Sequence, residues 1–334
     1  MDKLERIRGS LLAGAAGDAL GYQVEFLSLE MILEQYGGHG VRSMAPRISD
    51  DTQMTLFTAE GMLLGIKHHM PMPACVYQSY LDWLKTQLPH KKGGAFAEES
   101  ELLKVEGLFR WEAPGNTCLT ALGSGKIGLI DEPINHSKGC GGVMRAAPCG
   151  MLKMPDLSDG EDAYALQGAM AGAITHSHIM GYVPSAMLAD IIHMIMLEDG
   201  GTLTEIIEAS IRRMRRLFPE PETHEFAGLI RRAMELASAD VPDEDAIRQL
   251  GRGWVGDEAI AIAIFCVLRY QDDLAECLSA AVTHDGDSDS TGAIAGNIIG
   301  AWLGASAIPQ EWLDTIELAD VVDGMARKLY EAAR

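Results

Sequence analysis

Asp285, Asp287 and Asp289 stand at alternate positions in the run Thr283-His284-Asp285-Gly286-Asp287-Ser288-Asp289-Ser290-Thr291, with hydroxyl side chains between them. Three carboxylates in so short a segment repel one another, and a hard cation with oxygen ligands relieves the repulsion. An EF-hand calcium loop shares the alternating aspartates but needs Gly at its sixth position and Glu at its twelfth. Counted from Asp285, those positions hold Ser290 and Gly296, so an EF-hand is excluded. A second acidic cluster, Ser49-Asp50-Asp51-Thr52, lies far away in the chain and also opens an apolar segment. Helix capping accounts for one such residue. Two adjacent carboxylates need positive charge between them.

Other groups are weaker signals taken singly. Lys138-Gly139-Cys140-Gly141-Gly142-Val143-Met144-Arg145 is a glycine-rich loop before a helix start, the kind of backbone that approaches an anion closely. It lacks the Gly-Lys-Ser/Thr ending of a Walker loop. His176 and His178, two apart on an expected helix, face different sides and make no zinc pair. The six cysteines form no CxxC motif and read as free thiols of a reducing compartment. Asp2, Glu5 and Asp18 spoil a signal-peptide pattern at the start, so a cytoplasmic protein is expected. A net charge of −21 sets the surface against nucleic acid and anionic membrane, and neither is expected as a partner.

The elements that must position these residues are helical. Leu4, Ile7, Leu11, Leu12 and Ala15 follow a 3.6-residue stripe, and helical patterning also covers 52–67, 74–87, 161–176, 182–198, 203–216, 224–238, 257–270, 273–283, 291–306 and 318–333. Helix starts are marked at Ser158 with Glu161 and at Pro242-Asp243. Alternating strand patterns, fixed-period repeats and low-complexity linkers are absent, so residues 1–334 read as a single all-α domain. Thr291 to Ile308 carries no charge, yet Asn297 and the four-residue spacing of Gly292, Gly296, Gly300 and Gly304 favour a buried helix over a membrane span. Gly14, Gly17 and Gly21 offer a matching face on the first helix. A crossing of the two would bring the acidic clusters together.

The pattern His-x-Gly-Asp-Ser-Asp-Ser-Thr-Gly at 284–292 resembles the signature of the ADP-ribosylglycohydrolases. In the same order the chain resembles that family at Gly14-Ala-Ala-Gly17-Asp18-Ala-Leu-Gly21, Glu25, Ser49-Asp50-Asp51-Thr52, Gly115-Asn116-Thr117, Lys138–Arg145, Thr175-His176-Ser177 and Gly253-Trp254-Val255, over roughly residues 5–305. The resemblance implies a compact orthogonal multi-helix bundle and two magnesium ions, manganese in some members, at the base of a cleft. By motif the metal ligands would be Ser49, Asp50, Asp51, Asp287, Asp289 and Ser290. Catalysis would fall to Asp51, Asp287 and Glu25, the last as supporting acid. Asn116, Gly139, Gly141, Gly142 and His176 would bind substrate, with the glycines at a diphosphate and His284 holding an aspartate from behind. Asp285, where many relatives have Gly, and Cys140 depart from the pattern without removing a ligand. The implied reaction is hydrolysis of the bond between ADP-ribose and a protein side chain, arginine being preferred because the 283–292 block with Ser290 resembles the arginine-specific branch. Hydrolysis of serine-linked or free ADP-ribose derivatives, or a non-catalytic relative that only binds, are the alternatives. The acceptor is expected at loops around 88–115 and 215–225.

Overall fold

The computed structural model of the chain describes residues 1–157, 160–197 and 201–334. Among these residues the regular structure is helical: α1 (Lys3–Tyr22), α2 (Leu29–Tyr36), α3 (Asp50–His68), α4 (Met72–Gln87), α5 (Asn116–Gly123), α6 (Ala163–Ala173), α7 (Ile179–Met196), α8 (Leu203–Leu217), α9 (Pro221–Ala237), α10 (Asp243–Leu250), α11 (Gly256–Arg269), α12 (Leu274–Val282), α13 (Ser288–Leu303), α14 (Gln310–Thr315) and α15 (Ala319–Ala332). Short 3₁₀ turns join them, and the one β contact is an isolated bridge between Gly139 and Val255. The all-α expectation holds. The helix start expected at Ser158 lies outside the described residues.

The two glycine-patterned helices form the axis of the fold. α1 is buried continuously from Leu11 to Gly21, so it is a central helix and not an amphipathic one with a single inward stripe. It runs antiparallel to α13 at backbone contact. A Cβ on Gly17 would lie 2.0 Å from the Gly292 carbonyl oxygen, and one on Gly296 would lie 2.1 Å from that of Ala13. Small residues permit this approach, and the close backbones then exchange polar contacts. Ser10 Oγ donates to the Asn297 carbonyl at 2.8 Å, and Asn297 Nδ2 donates to the Ser10 carbonyl at 2.9 Å. The uncharged segment after Thr291 is therefore a core helix. Among the described residues only α7 is long and apolar enough to cross a membrane, and 83% of it is buried inside the protein.

Candidate functional site

The antiparallel pairing sets the positions of both acidic clusters. Where α1 ends, α13 begins: a Cβ on Gly21 would sit 2.2 Å from the Ser288 carbonyl oxygen. Glu25, just beyond α1, thus lies with the start of α13. One turn back, Asp18 is fully buried and its carboxylate takes the Ser49 amide at 2.9 and 3.1 Å, the Thr52 amide at 3.0 Å and the Thr52 hydroxyl. That fixes the start of α3 against α1. One helix therefore aligns the N-termini of α3 and α13, whose positive ends favour negative charge in front of them.

At each N-terminus one residue caps while its neighbours remain for other work. Ser49 Oγ accepts the Asp51 amide at 3.2 Å, and Asp287 Oδ1 accepts the Ser290 amide at 3.3 Å. Asp289 Oδ1 takes the same Ser290 amide at 3.0 Å. Asp50 Oδ2 accepts the Gly115 amide at 3.0 Å, which ties the 113–117 segment to the cluster. Asp51 Oδ2 and Glu25 Oε2 are buried with no hydrogen-bond partner. An unpaired buried oxygen is costly unless something positive meets it.

Electrostatics agrees. Burial first, then the surrounding carboxylates Asp287, Asp50 and Asp18, push Glu25 up to about 8. Burial raises Asp50 to about 7 and Asp18 to about 6, the latter against hydrogen bonds that pull it down. Asp51 and Asp289 are held well above the ordinary carboxylate range by burial and by their acidic neighbours. At Asp50 the Gly115 amide and, after it, the Arg145 charge work against this crowding. The donor set is carboxylate and hydroxyl oxygen at two helix starts, which suits hard divalent cations. Among the described residues no His, Cys, Asp or Glu side chains are already drawn into a closed cage of three, so a cation would have to draw in side chains that now stand apart.

These groups line a cavity of about 340 Å³. Glu25, Asp50, Asp51, Asp287, Asp289 and Ser290 line it together with Asn116, Gly139, Cys140, Gly141, His176 and Trp254, and the Cys140 thiol donates to Asp287 Oδ2 at 2.7 Å. Of the catalytic, substrate-binding and metal-ligating residues that the resemblance implies, all but Ser49 and Gly142 line it. Ser49 is fully buried as the cap. Gly142 faces α7, where a Cβ would meet the Gly181 carbonyl oxygen at 2.3 Å. Gly141 lies against His176, whose Cε1 would be 2.9 Å from a Cβ there. The Cys140 amide already donates to the Trp254 carbonyl at 3.3 Å and the Gly139 amide to Ser137 Oγ at 3.3 Å. Arg145 supports the loop from behind: it is fully buried, lies 4.3 Å from the Tyr80 ring centroid and donates to Thr175 Oγ1.

Several local expectations change. His176 and His178 are not on one helix but in the turn between α6 and α7, where His178 Nδ1 caps α7 by accepting the Met180 amide at 3.0 Å. His176 Nδ1 meets Thr175 Oγ1 at 2.8 Å, and burial lowers its pKa to about 3, so it is a neutral imidazole. His284 holds no aspartate side chain; its Nε2 meets Thr291 Oγ1 at 2.9 Å. Asp285 is absent from the cavity wall and lies 3.9 Å from the exposed Arg252 guanidinium, over a separate depression. The 113–117 segment reaches the cavity, whereas 215–225 does not. Residues to which the sequence gave no role also emerge: Asp18, and the exposed Phe26 stacked on Trp254 with centroids 6.2 Å apart. Asp18 was visible as a lone acid in an apolar helix, but what it binds lies in another segment.

The site is an acidic cavity in an all-helical protein, with crowded carboxylates at two helix starts and a glycine-rich loop in its lining. Comparison with known proteins gives the family. The sequence profile of the ADP-ribosylglycohydrolase family matches residues 1–334, and the chain belongs to that family, whose enzymes act on the glycosidic bonds of ADP-ribose. It is 26% identical to ADP-ribosylhydrolase ARH3 of Danio rerio, over 98% of this chain and 90% of that one. It is equally 26% identical to ADP-ribosylarginine hydrolase Tri1 of Pseudomonas putida, over 99% and 79%. The same identity relates it to ADP-ribosyl-[dinitrogen reductase] glycohydrolase of Rhodospirillum rubrum, over 94% and 91%. A solved structure described as an ADP-ribosylglycohydrolase-related protein complex shares the fold, with a TM-score of 0.67, 23% identity and 99% coverage of both chains.

Proposed function

We propose that the protein hydrolyses the N-glycosidic bond between ADP-ribose and arginine side chains of a protein substrate, with two divalent cations, magnesium or manganese, in the acidic cavity. The observation that carries the reading is the convergence of Asp50 and Asp51 with Asp287, Asp289 and Ser290 on one cavity, where the buried Asp51 Oδ2 has no partner. Asp50, Asp51, Asp287, Asp289 and Ser290, which line the cavity, would hold the cations, while Ser49, whose hydroxyl caps α3, would support Asp51 from behind. When bound, the cations supply positive charge that polarises substrate oxygens and makes a water more acidic. Glycosidic cleavage passes through an oxocarbenium-like state that a nearby carboxylate stabilises. Glu25, which lines the cavity and has a buried oxygen without a hydrogen-bond partner, would take that role or accept a proton from the attacking water. His176 and the glycine-rich loop residues Gly139 and Gly141, which line the same cavity, would take the diphosphate.

One relative bears on the arginine reading by its name, the ADP-ribosylarginine hydrolase, and the 283–292 block resembles the arginine-specific branch. ARH3 matches at the same identity, which favours hydrolysis of another ADP-ribose linkage as the second reading. The six unpaired cysteines support a reducing compartment such as the cytoplasm. The test is ADP-ribose release from arginine-, serine- and cysteine-linked conjugates and from free ADP-ribose derivatives, with and without a chelator. Chelator-sensitive release from arginine conjugates is expected. Release that persists after full chelation overturns the cation requirement, and release only from serine conjugates overturns the arginine assignment.

A further inference from the structure

We propose that Trp111 and Phe109 form the surface on which the polypeptide around the modified side chain docks, and that this surface takes a basic segment. The inference rests on the hydrolase reading above and concerns the part of the substrate beyond the ADP-ribose. Trp111 is 58% exposed and Phe109 38%. The exposed Phe and Trp rings among the described residues are these two, Phe26 and Trp254, and all stand on segments that reach the cavity. Large apolar side chains left in water on one face of a protein mark an interaction surface, and Trp is the residue that most often anchors one.

The backbone displays Trp111 rigidly. Before it, Arg110 donates to Glu317 at 2.8 Å. After it, Glu112 Oε2 accepts the Tyr22 hydroxyl at 2.9 Å, and the Glu112 carbonyl accepts the Asp50 amide at 3.1 Å. Ala113 then takes a left-handed φ of 49°, uncommon for a residue with a Cβ, before the Gly115 amide returns to Asp50. A side chain on so anchored a segment has little freedom left to lose on binding. The same bonds fix which end of the substrate it meets. The Trp111 segment is tied to Asp50 in the acidic cluster, whereas Trp254 is tied to Cys140 in the glycine-rich loop. On the reading above the bond is cut at the acidic cluster and the diphosphate lies at the loop, so the polypeptide leaves the cavity on the Trp111 side. Charge selects among polypeptides. Arg110 and Arg47 beside Trp111 are already paired with Glu317 and Glu112, and the chain carries a net −21, so a basic segment is attracted and an acidic one repelled.

The probes are histone carrying ADP-ribose on arginine, serum albumin modified in the same way as an acidic counterpart, and ADP-ribosyl-agmatine, which has no polypeptide. The parent protein should cleave the histone with the highest kcat/KM. Trp111→Ala should lower kcat/KM on the histone about tenfold, mostly through KM, and leave turnover of the agmatine conjugate unchanged. Phe109→Ala should give a smaller loss in the same direction, and Trp111→Phe should restore part of it. Circular dichroism checks that the variants fold. Equal losses on histone and agmatine conjugate, or no loss on histone in folded Trp111→Ala, overturns the inference and leaves the hydrolase reading standing. A parent protein that cleaves albumin or the agmatine conjugate as well as histone does the same. Release from none of the three by the parent protein overturns the arginine reading and this inference with it.

Discussion

Asp18 and Thr52 are joined twice: the Thr52 amide, at 3.0 Å, and the Thr52 hydroxyl both donate to Asp18 Oδ2. With the Ser49 amide on the same carboxylate, α1 thereby fixes the start of α3. Asp18→Ala leaves buried amides without an acceptor, at a cost of about 1–3 kcal/mol. Because the same bonds place Asp50 and Asp51, ADP-ribose release should fall by about 10²-fold. Thermal denaturation and manganese calorimetry check this; a variant that binds manganese as tightly as the parent would show that Asp18 only stabilises the fold.

The α1–α13 contact predicts a contrast between two glycines. In Gly17→Ala the new methyl would stand 2.0 Å from the Gly292 carbonyl oxygen, which is backbone and cannot turn aside. Overpacking of this kind costs about 1–3 kcal/mol or more, and the separated helices would also part the acidic clusters. Gly123→Ala, in α5, has nothing within 4 Å and should be neutral or gain up to about 1 kcal/mol. Urea midpoints decide. Equal stability of the two variants would mean that the helices are not in backbone contact.

This contrast also shows what the sequence could reveal. The glycines at 292, 296 and 300 and those at 14, 17 and 21 repeat along their helices, so the crossing of α1 and α13 was legible as periodicity. Each acidic cluster was legible because its members are neighbours in the chain. The short helices α2, α5 and α14 have too few turns to show a period, and α10 announced only its start at Pro242-Asp243. Long-range choices were hidden. Nothing near Asp18 says that it binds residues 31 and 34 positions away. Nothing near Asp285 says that it leaves the cavity for Arg252.

The raised carboxyl groups fix a pH dependence. Glu25 moves from an ordinary 4.5 to about 8 and Asp50 from 3.8 to about 7 in the folded protein without cations. The folded state therefore holds these protons more tightly than the unfolded chain. Their contribution is fully present below the ordinary values and is lost as pH rises through about 7 to 8. Chelator-treated protein should lose Tm steadily between about pH 5 and 8, and Glu25→Gln should flatten the upper part of that decline. Added manganese should raise Tm more at the alkaline end, because protons no longer compete. A Tm that is flat or rising in chelator, or identical slopes for parent and Glu25→Gln, would contradict the assignment.

Trp254 and Phe26 predict a binding effect separable from chemistry. Trp254 is 42% exposed and Phe26 73%, their rings inclined by 24° at the rim beside Glu25. Two large aromatic faces left in water next to an acidic cavity offer stacking to a planar group of the substrate, worth about 0.5–1.5 kcal/mol. Neither ring hydrogen-bonds a carboxylate of the site, so removing one should leave the cation centre undisturbed. Trp254→Ala is therefore expected to raise KM several-fold with kcat and manganese affinity nearly unchanged, provided the 253–256 segment keeps its backbone bonds to the glycine-rich loop. Phe26→Ala, which touches no such bond, is the cleaner companion and should shift KM in the same direction. If kcat falls while KM stays constant in Phe26→Ala, the aromatic pair orders Glu25 instead of holding substrate.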